Sequence, residues 1–157
     1  MLYAFISISV RDLDHIGDRL LVIFDGLCGF CNLSVRWFLR RDRRDRLRFV
    51  ASDSPLIAGL LARHGFDPNI ATGNAGTILV AQALDCPEER LLVRSDAVLA
   101  ILRQLPAPWP TIAARFRLVP RPLRDLGYRL VARWRYRIWG HLDSCPIPTA
   151  EERARFL

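Results

Sequence analysis

The stretch that decides the fold is LLVIFDGLCGFC, which runs from Leu20 to Cys31. Its first five residues, 20–24, form a short apolar run typical of a fully buried strand. Asp25 and Gly26 then predict a turn, and two cysteines follow at the start of a helical pattern. Sulfur atoms at this spacing can close a disulfide within one helical turn. Because the unpaired N–H groups at a helix start favour a thiolate, the stretch predicts dithiol chemistry.

The residues after the dithiol predict a helix and then a second strand. A helix over about residues 28–41 has apolar side chains on one side and clustered arginines on the other. Residues 47–51 form a second β-prone run, which the helix crossover would place parallel to the first strand. Together these elements predict a βαβ unit.

Further strands and helices follow in an order typical of one known fold. Ser54 and Pro55 predict the start of a second helix. Residues 77–83 and 90–94 predict an antiparallel hairpin, after which Ser95 is expected to cap a third helix. The order βαβ-α-ββα predicts an α/β protein with a thioredoxin-like core. The dithiol then lies between the first strand and the first helix, as it does in that fold.

Three segments are expected along the chain. Residues 1–19 form an N-terminal extension, residues 20–105 the thioredoxin-like core, and residues 106–157 a helical extension packed on the same domain. A long helix is predicted from about Leu123 to Gly140. Apolar side chains recur along it at helical spacing, which favours packing on the core, although the edge of the extension could be an interaction surface. These side chains are Leu123, Leu126, Leu130, Val131, Trp134 and Ile138.

The composition favours one domain in a reducing compartment. About half of the 157 residues are apolar, enough for a substantial core, and no apolar run approaches the roughly 18 residues that span a membrane. The apolar N-terminus has no basic leader and no small-residue cleavage site, so it does not resemble a secretory signal. The four cysteines are too unevenly spaced for a secreted disulfide framework. We therefore expect a cytoplasmic location.

The positive charge of the chain is unevenly distributed. All 23 basic residues are arginine, and the net charge is +7. Residues 36–48 hold seven arginines and two aspartates, and residues 103–139 hold nine arginines and one aspartate. Such segments are most often solvated helix faces, but they can attract phosphates, anionic lipids or an acidic protein.

The residues around the dithiol resemble the DCC family of thiol-disulfide oxidoreductase-like proteins, named for its Asp-x-x-Cys-x-x-Cys pattern. The match begins with DGLCGFCN at residues 25–32 and continues with RSDA at residues 94–97. Tyr128, the RYR of residues 135–137 and Cys145 follow in the expected order. The resemblance implies a thioredoxin-like fold and a dithiol redox activity. It implies a disulfide- or dithiol-bearing protein or a small thiol as partner, and no organic cofactor.

The chemistry of such an exchange assigns a role to each site residue. Cys28, nearest the helix end, would attack a disulfide of the partner, and Cys31, one turn further in, would resolve the mixed disulfide. Asp25 has two possible roles, which the sequence leaves open. It could accept a proton from Cys31 during resolution, or it could hold the turn by hydrogen-bonding backbone N–H groups.

The substrate-binding loop departs from the thioredoxin pattern. Thioredoxins place a cis-proline opposite the dithiol, but the matching residues 74–77 contain no proline. Because a cis bond without proline is costly, we expect a trans bond between Gly76 and Thr77 and a different mode of substrate binding.

A zinc site is the first alternative to dithiol exchange. Cys28 and Cys31, together with His141 and Cys145, would supply four ligands of suitable type. The spacing permits such a site without being diagnostic of it. Cys86 falls in the predicted hairpin turn and is given no role.

An arginine-rich binding module is the second alternative. The long C-terminal helix combines arginines with Trp134, Tyr136 and Trp139, a mixture that suits an anionic membrane surface or nucleic acid. Because no recognised nucleic-acid motif accompanies the arginines, nucleic acid is the less expected partner. Peripheral contact with an anionic membrane stays open, and the sequence does not indicate an oligomeric state.

Overall fold

A four-stranded mixed sheet lies at the centre of the protein. The computed structural model describes residues 16–71, 77–84, 86–142 and 149–157. Its strands are β1 (Leu20–Phe24), β2 (Leu47–Ala51), β3 (Leu79–Gln82) and β4 (Arg90–Val93), in the spatial order β2-β1-β3-β4. β2 is parallel to β1, whereas β3 is antiparallel to both β1 and β4. The predicted βαβ unit and hairpin are therefore confirmed.

Helices and one short 3₁₀ helix complete the described part of the chain. The helices are α1 (Gly29–Arg41), α2 (Pro55–Arg63), α3 (Arg94–Gln104), α4 (Trp109–Arg117), α5 (Arg121–Trp139) and α6 (Ala150–Arg153), and the 3₁₀ helix is Pro68–Ala71. This arrangement confirms an α/β protein with a thioredoxin-like core and C-terminal helices. No described helix is long and apolar enough to cross a membrane.

The first strand is buried on both of its faces, because a hydrophobic cluster lies on each side of the sheet. Leu20, Val22 and Phe24 pack in the cluster that contains residues of α1 and α3. Leu21 and Ile23 point the other way, into the cluster that contains residues of α2. A continuous apolar run is the pattern that such a strand requires. Phe24 is the last residue of this run, and the turn that presents the dithiol follows it directly.

The start of α3 corrects one prediction. Ser95 does not cap this helix, because the helix begins one residue earlier, at Arg94, and Ser95 lies inside its first turn. The Ser95 hydroxyl instead donates a hydrogen bond to Asp125, and the Ser95 N–H lies 3.4 Å from the same carboxylate. Asp125 thus joins α5 to the beginning of α3. Asp96 does lie in the first helical turn, where a negative charge favours the helix.

The C-terminal helices differ from the prediction in three ways. The sequence analysis missed α4, and it placed the start of α5 two residues late. More important, the apolar side chains of α5 are largely exposed: Leu126 is 51% accessible, Leu130 54% and Ile138 63%. The fully buried face of α5 instead holds Asp125 and Arg135. The reason is that this face lies against the dithiol turn and the start of α3, where charged partners are available.

Residues 155–157 cover the free edge of β2. The Phe49 N–H donates to the Arg155 carbonyl at 2.8 Å, and the Leu157 N–H donates to the Phe49 carbonyl at 2.9 Å. The Phe156 ring packs against Phe49, with ring centroids 5.7 Å apart. These contacts add a short parallel segment beside β2, at the edge of the sheet opposite β4.

Some predictions fall outside what the structure tests. The boundaries of the segments 1–19, 20–105 and 106–157 stay a prediction. Residues 72–76 lie outside the described residues, so the trans bond expected between Gly76 and Thr77 stays a prediction as well.

Candidate dithiol site

The first cysteine of the pair is the N-cap residue of α1. Cys28 has an extended backbone, and its Sγ accepts a hydrogen bond from the Cys31 N–H at 3.4 Å. This N–H is one of the donors that a helix start leaves unpaired. Cys28 itself is fully buried, with 0% exposure, whereas Cys31 is partly exposed. Both cysteines are free thiols in the structure.

The two thiols have opposite tendencies to ionise. A hydrogen bond from the Cys31 side chain, helped by the Cys31 N–H and by the positive charge of Arg135, outweighs burial and lowers the pKa of Cys28 from 9.0 to about 6. The same hydrogen bond, together with burial, raises the pKa of Cys31 above its ordinary value. The pair therefore shares one proton at neutral pH, with the negative charge on Cys28.

Asp25 holds the turn that presents the dithiol. Its Oδ1 accepts the Leu27 N–H at 3.0 Å, and its carbonyl accepts the Cys28 N–H at 3.3 Å. Asn32 fixes the turn from the other side, because its Nδ2 donates to the Gly26 carbonyl at 2.7 Å. These contacts correspond to the turn-holding role considered for Asp25. Whether Asp25 also accepts a proton stays a prediction.

Two residues of α5 complete the site, and the sequence analysis gave neither of them a role at the dithiol. Arg135 is 2% exposed, and its guanidinium lies 3.6 Å from the Cys31 Sγ and 3.6 Å from the Asp25 Oδ2. The Tyr136 hydroxyl donates a hydrogen bond to the same Asp25 oxygen. Burial lowers the pKa of Arg135, but negative charge on Cys31 and Cys28 outweighs it and leaves that pKa above its ordinary value. Arg135 thus brings a permanent positive charge to the dithiol.

The helical pattern of α5 gave a misleading signal for Arg135. This residue lies outside the set of apolar residues that recur at helical spacing, as do Asp125 and Tyr128. A charged face opposite an apolar one is normally assigned to solvent. Because the apolar face of this helix is the exposed one, that assignment places Arg135 on the wrong side.

The end of α5 closes over the first cysteine. The bare Cα of Gly29 lies so close to α5 that a Cβ there would be 2.5 Å from the Trp139 carbonyl oxygen. Trp139 also packs against Phe30, with ring centroids 4.7 Å apart. Beyond the helix, the backbone of His141 forms a bridge with Cys28, and the Leu142 N–H donates to the Leu27 carbonyl at 2.8 Å. Residues 139–142 are called the cover segment below.

The second cysteine opens onto an apolar cavity. The cavity has a volume of about 300 Å³ and lies between α1, α3, α5 and the start of β3. Its walls are mainly aromatic and aliphatic, with Cys31 and Arg135 among them. The lining residues that matter here are Phe24, Phe30, Phe38, Ile78, Tyr128 and Val131.

A metal centre finds no support among the described residues. They contain no group of three or more His, Cys, Asp and Glu side chains arranged to hold a metal ion. Cys145, the fourth ligand of the zinc alternative, lies outside the described residues, so the complete set stays untested. Cys86 is exposed.

Comparison with known proteins points to one family. Residues 22–141 match the model of the DCC1-like thiol-disulfide oxidoreductase family. A chloroplastic DCC family protein of Arabidopsis thaliana is 31% identical over 129 residues, which cover 82% of this chain and 70% of that protein. The uncharacterized protein YuxK of Bacillus subtilis is 28% identical over 144 residues, which cover 92% of this chain and 97% of YuxK. No solved structure gives a significant match.

Proposed function

Because the chain belongs to the DCC1-like thiol-disulfide oxidoreductase family, we propose that it exchanges disulfides through Cys28 and Cys31. The Cys28 thiolate attacks a disulfide of the partner, and one partner sulfur leaves as a thiolate. The Cys31 thiol then loses its proton and attacks the Sγ of Cys28, which releases the second partner sulfur. The partner disulfide becomes two thiols, and the Cys28–Cys31 pair becomes a disulfide. The reverse sequence of steps oxidises a partner dithiol.

The observation that carries this proposal is the position of the Cys28 Sγ at the start of α1. There it accepts the Cys31 N–H, and its pKa is lowered to about 6. At pH 7 about nine in ten molecules would carry the thiolate, which is the nucleophilic form. A thiolate of this kind is also a good leaving group when the intramolecular disulfide is reduced.

Exposure favours Cys31 as the attacking residue, whereas ionisation favours Cys28. With its pKa above 9.0, Cys31 is a thiolate in less than about one molecule in a hundred at pH 7. Moving the cover segment away from Cys28 breaks the Leu142–Leu27 hydrogen bond, the Cys28–His141 bridge and the Phe30–Trp139 contact. Ionisation therefore favours Cys28 as the attacking residue.

Asp25 is proposed to serve the reaction in two ways. It holds the dithiol turn through Leu27, and its carboxylate is the nearest acceptor proposed for the Cys31 proton. An Asp25→Asn variant separates the two roles, because the amide oxygen can still accept the Leu27 N–H but cannot take up a proton at neutral pH. Slow resolution of the mixed disulfide with attack at the natural rate would support proton transfer. Equal loss of both attack and resolution would support the turn-holding role alone.

Trapping of the mixed disulfide tests the assigned cysteine roles. In a Cys31→Ser variant, Cys28 can attack but cannot be released, so covalent complexes with disulfide-bearing partners should accumulate. A Cys28→Ser variant should trap none, and Cys86→Ser, which removes an exposed thiol outside the site, should behave like the natural sequence. The measurement is non-reducing electrophoresis after acid quenching. Trapping by Cys28→Ser but not by Cys31→Ser would reverse the roles, and trapping by neither would refute the exchange.

The partner is proposed to be a protein or small molecule that carries a disulfide or a dithiol. A cytoplasmic setting, where thioredoxin-type dithiols are kept reduced, is proposed with it. The relatives do not narrow this further, because their descriptions name no partner.

Peripheral contact with an anionic membrane is a second candidate function, which the exposed face of α5 favours. Leu126, Leu130, Trp134 and Ile138 are each about half exposed or more, and arginines border them. An amphipathic helix of this composition can lie on a lipid surface. Cosedimentation with phosphatidylglycerol vesicles that falls with salt and with Leu130→Gln would support this function. The control is Leu33→Gln, an equally exposed leucine on α1, and equal losses in both variants would refute it.

A further inference from the structure

A second pocket, lined by arginines, adjoins the apolar cavity at Cys31. Its volume is about 490 Å³, and it shares Tyr128 and Ala132 with that cavity. Four arginines line it, together with Thr77 and Tyr136. They are Arg94, at the start of α3, and Arg129, Arg133 and Arg137, which follow one another at four-residue spacing along α5. We call this the arginine pocket.

The positive charge of the arginine pocket is only partly neutralised locally, by the interaction of Arg94 with Asp125. Among the residues that the structure describes, none of its four arginines forms an ion pair with a carboxylate. By contrast, Arg121 and Arg124 of the same helix pair with Asp96. Burial raises the pKa of Asp125, but hydrogen bonds from Ser95 and the positive charges of Arg121 and Arg94 outweigh it and leave that pKa below its ordinary value. Four like charges around one concave surface produce a positive potential that attracts anions.

The arginine pocket is connected to the dithiol through two neighbouring residues. Tyr136 lines the pocket, and its hydroxyl donates to Asp25 in the dithiol turn. Arg135, next to it in sequence, contacts the Cys31 Sγ. The pocket is therefore separated from the dithiol turn by Tyr136, and it adjoins the cavity at Cys31 through Tyr128 and Ala132.

We propose that the arginine pocket binds the anionic group of the disulfide substrate while its sulfurs approach the dithiol. This inference rests on the proposed function and narrows its substrate class to small disulfides that carry a carboxylate or phosphate a few atoms from the sulfur. Guanidinium groups suit both anions, because their N–H donors match the oxygen pairs of each. The apolar cavity would accept the short hydrocarbon link between the anion and the sulfur.

Three small disulfides of nearly equal length test the charge preference. They are dithiodipropionate, which is anionic, bis(hydroxyethyl) disulfide, which is neutral, and cystamine, which is cationic. The measurement is the second-order rate constant for oxidation of the reduced protein by each probe. We expect the anionic probe to exceed the cationic one by at least about tenfold at low ionic strength, and the ratio to shrink as salt is added.

Two matched variants assign the preference to the pocket. Arg133→Gln should reduce the anionic-to-cationic ratio severalfold, whereas Arg117→Gln, which removes the same charge from an exposed position on α4, should leave the ratio unchanged. A ratio near one in the natural sequence would overturn the inference and leave the exchange activity standing. Equal reductions in the two variants would overturn it as well, because they would reflect net charge alone.

A non-reactive analogue separates this inference from the proposed function. Suberate replaces the disulfide of dithiodipropionate with two methylenes, so its binding can be measured by calorimetry without any exchange. If no probe oxidises the protein, the proposed function fails, but suberate binding that Arg133→Gln weakens and Arg117→Gln does not would still support the anion site. If suberate does not bind, and Arg133→Gln weakens only the binding of phosphatidylglycerol vesicles, the pocket serves a lipid surface and the inference is wrong.

Discussion

Helices α1 and α5 face each other across the dithiol, yet they follow opposite rules. α1 buries Val35 and Phe38 and exposes arginines, as an amphipathic helix on a hydrophobic core should. α5 buries Asp125 and Arg135 and exposes most of its large apolar side chains. The difference shows that the inner face of a helix matches what it packs against. α1 packs on the sheet, whereas α5 packs on a turn that holds two thiols and a carboxylate.

The buried residues of the two helices also serve different purposes, because those of α1 stabilise the fold and those of α5 contact the dithiol site. The apolar contacts of α1 belong to the cluster that forms the fold. The buried charges of α5 are held by Asp25, Cys31 and Ser95, all of which lie at the site or at the helix start beside it. The first two predictions below change a buried residue of one of these helices and compare it with an exposed residue of α5.

The largest effect is expected from removing a buried ring of α1. Phe38→Ala should lower the free energy of unfolding by about 4 kcal/mol, because it leaves a void in the main hydrophobic cluster. Trp134→Ala, on the exposed face of α5, should change it by only about 0.5 kcal/mol. Urea unfolding of both variants provides the measurement. Similar losses in the two would mean that the outer face of α5 is covered in solution.

The next largest effect is expected at the buried arginine of α5. Arg135→Met should cost about 3 kcal/mol of unfolding free energy, because it leaves the Asp25 carboxylate buried without its cationic partner. Arg133→Met replaces an exposed arginine of the same helix and should leave stability nearly unchanged. Denaturant unfolding at neutral pH compares the two variants. A loss in Arg133→Met as large as that in Arg135→Met would contradict the inner and outer roles assigned to the helix.

A smaller effect is expected when one hydrogen bond of the site is removed. Tyr136→Phe keeps the ring but deletes the donor to Asp25, a hydrogen bond to a charged group that is worth about 2 kcal/mol. Exchange should slow at the same time, because the dithiol turn loses one of its supports. Unfolding and exchange rates should be measured on the same preparation. If neither the free energy of unfolding nor the exchange rate falls, Asp25 is held by Leu27 and Arg135 alone.

The smallest expected effect is a change in the ionisation of the dithiol. Ultraviolet absorbance of the thiolate should titrate with a midpoint near pH 6 in the natural sequence, as the lowered pKa of Cys28 requires. Arg135→Gln should move that midpoint upward by about one pH unit, which corresponds to about 1.4 kcal/mol. No movement of the midpoint would assign the low pKa to the hydrogen bonds from the Cys31 side chain and N–H alone.

The same ionisation predicts how stability varies with pH. Because the folded pKa of Cys28 is lowered, its stabilising contribution is fully present above its ordinary pKa of 9.0 and is lost as pH falls through about 6. The raised pKa of Cys31 acts in the opposite sense, since its contribution is present below 9.0 and is lost at higher pH. The pair together should therefore stabilise the fold most near pH 9. Cys28→Ser should remove the acidic limb of this dependence.

The sequence predicted the core of the fold and the location of the dithiol, because both depend on local patterns. A continuous apolar run specifies a strand buried on both faces, and two cysteines after a turn specify sulfurs at a helix start. Arg135, Tyr136 and the Ser95–Asp125 pair could not be assigned in this way, because each depends on a contact between residues at least 30 positions apart. The orientation of α5 was missed for a related reason: its apolar residues favour burial, and only the tertiary structure shows that the buried face is the charged one.

The contacts of residues 155–157 with Phe49 have a consequence for the behaviour of the protein in concentrated solution. A bare outer strand offers a row of unpaired amide and carbonyl groups to any neighbouring molecule, and this is a common start of aggregation. Here the outward N–H and carbonyl of Phe49, in the middle of β2, are already bonded to Arg155 and Leu157. Deleting these three residues would leave the dithiol intact but would expose β2 as an unpaired edge strand. The shortened protein should therefore self-associate at concentrations at which the natural one does not.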